Sequence, residues 1–282
     1  KVQKMFDKRR KIMQETNTID WAAGELMAYA SVLLEGSNVR MSGQDVKRGT
    51  FSHRHAVLRD AKTFEQYNRL NHITADQKAQ FLVYNSLLSE FGVLGFEFGY
   101  AMASPDSLVI WEAQFGDFSN GAQSMIDQFI TSSESKWQRM SGLVMLLPHG
   151  YTGMGPEHSS ARLERFLQAC AEQNICVANV TTPANFFHII RRQQHRPFRK
   201  PLIVMSPKSL LRHPKCVSNT SEIMEGTRFQ EVIDDNFVQN PAAVKRILMC
   251  TGKLYYELAA HQEDNNRQDI AIVRLEQLYP LA

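Results

Sequence analysis

The feature that most constrains the fold is a regular alternation of short apolar runs with segments of helical periodicity. The runs at 143–147 and 175–180 are too short for buried helices and are flanked by turn residues. Strands of a parallel sheet are buried on both faces, and each needs a crossover that is usually helical. The sequence therefore predicts an α/β fold, a parallel sheet with helices on both faces. Its strands are expected at 38–42, 107–112, 143–147, 175–180 and 202–205.

Helix boundaries are predicted from capping residues. Asp20 is suited to cap a helix that runs through Trp21 and Leu33, and Gly36 is suited to end it. A basic amphipathic segment, 1–11, precedes this helix. Further helices are expected at about 88–103, at 121–137, from 159 and from 183.

A second unit is predicted after a polar, irregular stretch that begins near residue 206. There a strand at 246–251, a helix through Leu254 and Leu258 and a strand at 270–275 resume the alternation. We expect three parts: an amino-terminal helix or linker (1–17), a main α/β domain (18–212) and the start of a second α/β domain (213–282). The second is too short to close a core of its own. The chain begins without Met and stops on an apolar segment, so we expect it to be part of a longer protein.

Composition excludes several classes of partner. The 282 residues carry 32 basic and 29 acidic side chains, a net charge of +3 that gives no strong field for nucleic acid. The apolar runs are far shorter than the roughly 20 residues that cross a bilayer, so we expect no membrane span. The four cysteines show no metal-ligand spacing. We expect reduced structural thiols, as in a reducing cytoplasm.

An acid stands at the head of an unusual helix. Gly92, Gly95, Gly99 and Ala103 recur at helical spacing, so one helix face is nearly bare and can approach a neighbouring helix or subunit closely. Glu90 lies in the first turn, where the helix dipole favours a carboxylate. From the residues alone, Glu90 is either a charge at a helix start or a functional acid.

Two histidines bracket a glycine-rich turn at 148–158. His149 and His158 follow a buried strand, and loops at the carboxyl ends of parallel strands are where such sheets place their sites. Histidine can donate or accept a proton near neutral pH. We interpret the loop, which also contains Gly153, as functional; the alternative is a surface loop with incidental histidines.

Phe115 and Phe118 follow another strand at its carboxyl end. Aromatic side chains there can stack on a planar ring or simply fill the core. His53 and His55, two residues apart, would face one side of an extended segment as some zinc ligands do, but no third ligand follows. We therefore predict no metal site and expect structural or substrate-facing histidines.

A basic cluster covers 191–200. It can contact phosphate or an acidic partner, but such runs are more often the solvated end of a helix. Its role is left open.

Several long motifs are spread along the chain. They are SGQD (42–45), RGTF (48–51), WEAQFGDF (111–118), NGAQ (120–123), LPHG (147–150), GPEHSSAR (155–162), SPKSLLR (206–212) and EQLYP (276–280). Together they resemble one enzyme family, the thiamine-diphosphate-dependent dehydrogenase component of 2-oxoglutarate dehydrogenase complexes, and the similarity extends from about Thr18 to the end of the chain.

The resemblance implies a transketolase-like pyrimidine-binding domain and assigns roles to single residues. Glu90 matches the glutamate that activates the cofactor through a hydrogen bond to a pyrimidine nitrogen. Phe118, and with less support Phe115, match the aromatic region that packs on that ring. His158 matches the active-site histidine near the thiazolium and the oxo acid, and His149 matches a second histidine of that cleft.

The resemblance also implies that this chain carries half of a cofactor site. The family holds the diphosphate and its Mg²⁺ with a Gly-Asp-Gly motif in an upstream domain, and the sequence contains no such motif. We therefore expect the diphosphate and metal ligands to lie outside this chain. In the family the other half of the site comes from the partner subunit of a homodimer.

The implied activity is decarboxylation of 2-oxoglutarate, with transfer of the succinyl group to the lipoyl group of a dihydrolipoyl succinyltransferase in the tricarboxylic acid cycle. The location would be the cytoplasm in bacteria or the mitochondrial matrix in eukaryotes. Two alternatives are a related 2-oxo acid dehydrogenase, acting on 2-oxoadipate, and a non-catalytic interaction module of the same fold.

Overall fold

A computed structural model describes residues 2–152 and 155–281 of the chain. The helices of this part are α1 (Val2–Thr16), α2 (Trp21–Leu34), α3 (Glu90–Ala103), α4 (Gln123–Met125), α5 (Ser133–Trp137), α6 (Leu163–Gln168), α7 (Pro183–His195) and α8 (Leu254–Asp264). None of them is long and apolar enough to span a membrane.

The strands alternate with these helices over most of the chain. They are β1 (Thr18–Ile19), β2 (Val39–Gly43), β3 (Val57–Arg59), β4 (Gln66–Asn68), β5 (Phe81–Asn85), β6 (Leu108–Glu112), β7 (Val144–His149), β8 (Cys176–Ala178), β9 (Leu202–Pro207), β10 (Ser218–Asn219), β11 (Val232–Ile233), β12 (Arg246–Cys250), β13 (Ile270–Leu275) and β14 (Gln277–Tyr279).

The main sheet has seven strands in the order β5-β2-β6-β7-β9-β8-β14. All of its neighbouring pairs are parallel except the last, in which β14 runs antiparallel to β8. The predicted α/β fold with a mostly parallel sheet is therefore confirmed; the antiparallel edge strand β14 was not predicted. Strand β5 was not predicted either, although its sequence Phe-Leu-Val-Tyr-Asn has the β-branched and aromatic composition of a strand.

Two hydrophobic cores lie on opposite faces of this sheet. On β7, Val144 and Leu146 pack into the core beneath α2 and α7, whereas Met145 and Leu147 pack into the core beneath α3 and α6. Successive strand residues point to opposite faces, so a strand buried on both sides is apolar throughout. Each fully buried aliphatic side chain contributes about 1.5–3 kcal/mol, which makes this central strand a major source of stability.

The predicted helix 121–137 is broken in the structure. A 3-10 helix, Gly116–Ala122, leads into α4, a π-helical turn at Ile126–Ile130 and then α5. The Thr131 N–H and hydroxyl both donate to the Ile126 carbonyl, at 2.9 and 3.0 Å. This side-chain competition for a backbone acceptor widens the turn.

The helix predicted from residue 159 begins later, at Leu163. The Ser159 and Ser160 N–H groups donate to the carboxylate of Asp117, at 3.0 Å each, and not to a helical carbonyl. Arg162 then adopts a left-handed conformation with φ of 59°. The segment 159–162 is therefore tied to the preceding loop and not to α6.

The carboxyl-terminal segment forms a smaller sheet, β11-β13-β12, covered by α8. It is joined to the main domain by a fully buried carboxylate, Glu276, which accepts hydrogen bonds from the Thr181 N–H at 2.8 Å and from the Asn185 amide at 2.9 Å. Burial raises the pKa of Glu276, although these bonds oppose the rise. Strand β14 follows at once and completes the main sheet.

The cysteines are free thiols in the structure, and Cys176, Cys216 and Cys250 are buried. Burial raises the pKa of Cys216 to about 12 and that of Cys170 to about 11. Such thiols are poor nucleophiles near neutral pH, in agreement with the structural role expected from the sequence.

Candidate functional site

The predicted site residues lie at the carboxyl edge of the main sheet or in the loops that follow its strands. Parallel strands bring their carboxyl ends to one edge, so residues distant in sequence meet there. The contributing segments include 44–56 after β2, 113–122 after β6 and the segment after β7 that extends to 162, together with the start of α3 after β5 and the residue after β9. Within this last loop, Gly153 and Met154 lie outside the described residues.

Glu90 is half-buried at the head of α3, where the hydroxyl of Ser89 caps the helix by accepting from the Gly92 N–H. Its carboxylate accepts no hydrogen bond from any described residue. It borders a small cavity at the carboxyl ends of β2 and β6, which Gly43 and Gln44 also line. The helix start thus fixes the position of the acid, and no residue in the described part of the chain pairs with it.

Gly121 keeps the space beside this acid open. A Cβ at Gly121 would lie 3.4 Å from Oε2 of Glu90. Gly121 belongs to the same 3-10 helix as Phe118, whose N–H donates to the Phe115 carbonyl at 3.0 Å. The carboxylate and the predicted aromatic residues are therefore brought together by one short element.

The two phenylalanines form an aromatic cluster with a predicted histidine. The rings of Phe115 and His158 stack with centroids 4.0 Å apart, and Phe118 packs edge-on against Phe115 at 6.2 Å. All three side chains are half-buried, so their surfaces are reachable from solvent. We call Phe115, Phe118 and His158 the aromatic cluster.

Two close contacts hold the aromatic cluster together. Asp117 accepts from the N–H groups of Ser159 and Ser160, which fixes the loop that carries His158 against the loop that carries the phenylalanines. Gly116 allows the same approach, because a Cβ there would lie 2.4 Å from that of Ala161. The sequence analysis gave no role to Asp117, although it lies inside the quoted motif WEAQFGDF.

His149 is held in one tautomer. Its Nδ1 accepts from the Ala161 N–H at 3.0 Å, so Nδ1 is unprotonated and the neutral ring carries its proton on Nε2. Burial lowers the pKa of His149, and the nearby ammonium of Lys208 lowers it further. His149 is therefore a neutral hydrogen-bond donor through Nε2.

Lys208 contacts His158 and lies near His149, and the sequence analysis missed it. Its ammonium donates to the His158 carbonyl and lies 5.8 Å from the centroid of the Phe115 ring. Burial lowers the pKa of Lys208, and Asp117 opposes this effect. The available signal was a lysine directly after β9 in the quoted motif SPKSLLR.

Beneath the same edge lies a second group of charges, the buried ion cluster of Glu25, His53, Arg54 and Glu112. Arg54 is fully buried and donates through Nε to Glu25 at 2.6 Å and through Nη1 to Glu112 at 3.0 Å. Nη1 also donates to the Val46 carbonyl at 2.9 Å. The His53 Nε2 lies 3.3 Å from Glu25.

Opposite charges dominate the electrostatics of the buried ion cluster. Burial alone raises the pKa of Glu25, but Arg54 and His53 outweigh it and lower the value to about 2. Burial lowers the pKa of Arg54, but Glu112 and Glu25 outweigh it and raise the value well above normal. Both groups are therefore charged near neutral pH.

His53 and His55 do not share a side as expected from the sequence. Ser52 and His55 have positive φ, so the segment is not extended; His53 faces Glu25, and His55 packs edge-on against Phe6 at 6.5 Å. Glu25, His53 and Glu112 together have the spacing of a metal site. The guanidinium of Arg54 already bridges the two carboxylates, so we retain the prediction of no metal there.

The basic cluster at 191–200 is engaged in ion pairs and hydrogen bonds. Arg191 and His195 both contact Glu35, and Arg192 contacts Glu231 at 2.9 Å. Lys200 pairs with Glu134. These contacts join α7 and the segment after it to neighbouring elements. The residues that form them are therefore structural, and the cluster is not a freely solvated helix end.

These features define a class, an α/β domain that presents an unpaired acid, aromatic rings and histidines at the carboxyl edge of its sheet. Residues 17–214 match the family model "Transketolase, pyrimidine binding domain", and the chain belongs to this family. Residues 217–282 match a second model, "2-oxoglutarate dehydrogenase C-terminal". The resemblance drawn from the sequence motifs is therefore confirmed.

Similar curated proteins bear one name. The chain is 55% identical over 280 residues to the 2-oxoglutarate dehydrogenase E1 component of Haemophilus influenzae, and 54% identical over 288 residues to that of Brucella anthropi. The protein of that name from Brucella ovis is 52% identical. Each match covers 99% of this chain, which spans only 29–30% of the length of these relatives.

Proposed function

We propose that this chain supplies the pyrimidine-binding half of a thiamine diphosphate site in an enzyme that decarboxylates 2-oxoglutarate. The enzyme would pass the succinyl group to the lipoyl group of a dihydrolipoyl succinyltransferase. The observation that carries the proposal is the Glu90 carboxylate, which has no partner among the described residues and lies against Gly121 of the 3-10 helix that also contains Phe118. The names of the relatives and of both family models support the choice of reaction.

The residues around Glu90 fit the pyrimidine part of this cofactor. A carboxylate without a partner among the described residues can hold a ring nitrogen, and aromatic faces can pack on a planar ring. Thiamine diphosphate supplies the carbon that adds to the oxo group and the electron sink for decarboxylation.

Each residue then has a stated task. Glu90 hydrogen-bonds the pyrimidine, and Phe118 and Phe115 pack on it. His158, held against Phe115, contacts the oxo acid near its reacting carbon. His149 donates from Nε2 to an acid oxygen, because its other nitrogen is already an acceptor.

We propose a homodimer in which the partner subunit completes the site. Exposed apolar side chains surround the start of α3, including Leu87, Leu88, Phe91 and Phe96. The glycine stripe beside them is open in part, since a Cβ at Gly99 would meet no atom within 4 Å. An apolar patch around a bare helix face is typical of a subunit contact, and it would place Glu90 beside the interface.

The decisive experiment uses the intact protein with thiamine diphosphate, Mg²⁺ and an artificial electron acceptor. We expect faster turnover of 2-oxoglutarate than of 2-oxoadipate. Equal or faster turnover of the longer acid would overturn the proposed substrate. No turnover of either acid would favour a non-catalytic module.

The role of Glu90 is tested with Glu90→Gln in the same assay. An amide cannot share a proton with the ring nitrogen, so we expect kcat to fall by about 10²–10⁴-fold without loss of folding. Glu225→Gln, at an exposed position, is the matched control and should retain full activity. Near-normal turnover of Glu90→Gln would exclude the assigned role.

A further inference from the structure

A cavity of about 330 Å³ lies where the carboxyl ends of β7 and β9 meet the start of α8. Its polar lining includes His149, Asn179, Lys208 and Lys253, and Glu257 is the acidic member. Its apolar lining includes Leu163, Leu210 and Leu254. The cavity thus offers hydrogen-bond donors on one side and an apolar wall on the other.

The start of α8 contributes backbone donors to this cavity. The N–H groups of Gly252, Lys253 and Leu254 have no acceptor among the residues that the structure describes. No side chain caps the helix, which is 11 residues long. Unsatisfied N–H groups and the helix dipole together favour an anion at this position.

Asn179 provides independent evidence for a ligand. The residue is only 8% exposed, yet its carboxamide forms no hydrogen bond with any described residue. It lies against the head of α8, because a Cβ at Gly252 would be 2.6 Å from Nδ2. Its carboxamide lines the cavity, so it can donate to or accept from a ligand bound there without giving up a bond within the described residues.

The charges around the cavity are net positive. Lys253 is neutralised by Glu257, at 2.5 Å, whereas the ammonium of Lys208 donates to the His158 carbonyl and retains two further protons. His149 also lines the cavity but adds no charge, because burial and Lys208 lower its pKa.

We propose that this cavity binds a small organic oxyanion, whose phosphoryl or carboxylate group accepts from the α8 N–H groups, Asn179 and Lys208. The apolar wall contacts the organic part. The proposal does not rest on the reaction proposed above.

The test is calorimetric titration of the intact protein at constant ionic strength, with inorganic phosphate in one arm and succinate in the other. Asn179→Asp keeps the shape of the side chain but places a carboxylate in the cavity, and we expect about tenfold weaker binding or more. Lys253→Gln should weaken binding by a few-fold, since it removes a charge beside the α8 N–H groups. Lys215→Gln is the control, because Lys215 is also exposed and paired with a glutamate of α8, Glu263, but does not line the cavity.

The outcomes separate the possibilities. Tighter phosphate binding assigns a phosphoryl group, and tighter succinate binding assigns a carboxylate. Absence of binding in both arms overturns the proposal, as does an equal affinity in Asn179→Asp, Lys253→Gln and Lys215→Gln. If thermal melting shows that Asn179→Asp is unfolded, the test is the comparison of the affinities of Lys253→Gln and Lys215→Gln. Weaker binding by Lys253→Gln supports the proposal, and equal binding overturns it.

Discussion

The buried ion cluster and Glu90 both lie near the carboxyl edge of the same sheet, and they differ in whether their carboxylates are paired with a cation. In the buried ion cluster, Glu25 and Glu112 are both bonded to Arg54 and are almost completely shielded from solvent. Glu90 is half-buried and has no partner among the described residues. Arg54 thus neutralises Glu25 and Glu112, whereas no described residue supplies a cation for Glu90.

This difference indicates different roles: the buried ion cluster supports the structure, and Glu90 is available for chemistry. A buried charge that is paired and hydrogen-bonded holds its elements in one arrangement. The buried ion cluster joins α2, the loop after β2 and the end of β6, and that loop carries Phe51, which packs edge-on against Phe115 at 5.7 Å. Glu90, which no described residue pairs, is available to a ligand. Functional sites often contain such polar groups, whose partners the fold itself does not supply.

The largest expected effect comes from Arg54→Met, which removes the cation between two buried carboxylates. Breaking a buried ion pair by deleting one partner costs about 3–5 kcal/mol, because uncompensated charge stays buried. We expect a loss of this size in the free energy of unfolding, measured by denaturant titration. Arg48→Met is the control, since Arg48 lies in the same loop but is exposed and pairs with Asp45 on the surface.

If Arg54→Met lowers the free energy of unfolding by less than 1 kcal/mol, as Arg48→Met should, the buried ion cluster has no greater structural role than a surface ion pair. Such a result would show that the cluster does not hold these loops.

A smaller effect is expected from pH, through Glu25. Its pKa falls from 4.5 to about 2 on folding, so the unfolded chain binds more protons in this interval. The stabilisation is fully present above pH 4.5 and is lost as the pH falls toward 2, in total up to about 3 kcal/mol. Denaturant midpoints measured between pH 6 and pH 3 should fall more steeply in the wild type than in Glu25→Gln. Parallel slopes would contradict the role assigned to Glu25.

The sequence predicted the sheet far better than it predicted the contacts that support the carboxyl edge of the sheet. Strand and helix periodicity located β2, β6, β7, β8 and β9, because these elements are buried on both faces. The ion cluster around Arg54 was not predicted, because Glu112 and Glu25 are 58 and 29 residues away from Arg54 in sequence. Only the tertiary fold brings the three side chains together.

Local interactions explain the helix errors. The break at Ile126–Ile130 and the late start of α6 come from Thr131 and Asp117, whose side chains compete for backbone groups. Periodicity does not report such bonds. The antiparallel β14 was missed because it follows β13 after one residue, Glu276, whose buried contacts with Thr181 and Asn185 redirect the chain.

The smallest effect should come from Glu90→Gln, when stability and not turnover is measured. Glu90 has no bond to lose, and its interaction with the α3 dipole is worth about 0.3–1 kcal/mol, so we expect the free energy of unfolding to fall by less than 1 kcal/mol. Glu97→Gln on the same helix is the contrast, because Glu97 is buried and bonded twice to Arg40, at 2.8 Å each. That change should cost a few kcal/mol, since it leaves Arg40 with a neutral partner. Equal losses in the two variants would show that Glu90 is held by the fold and is not free for a ligand.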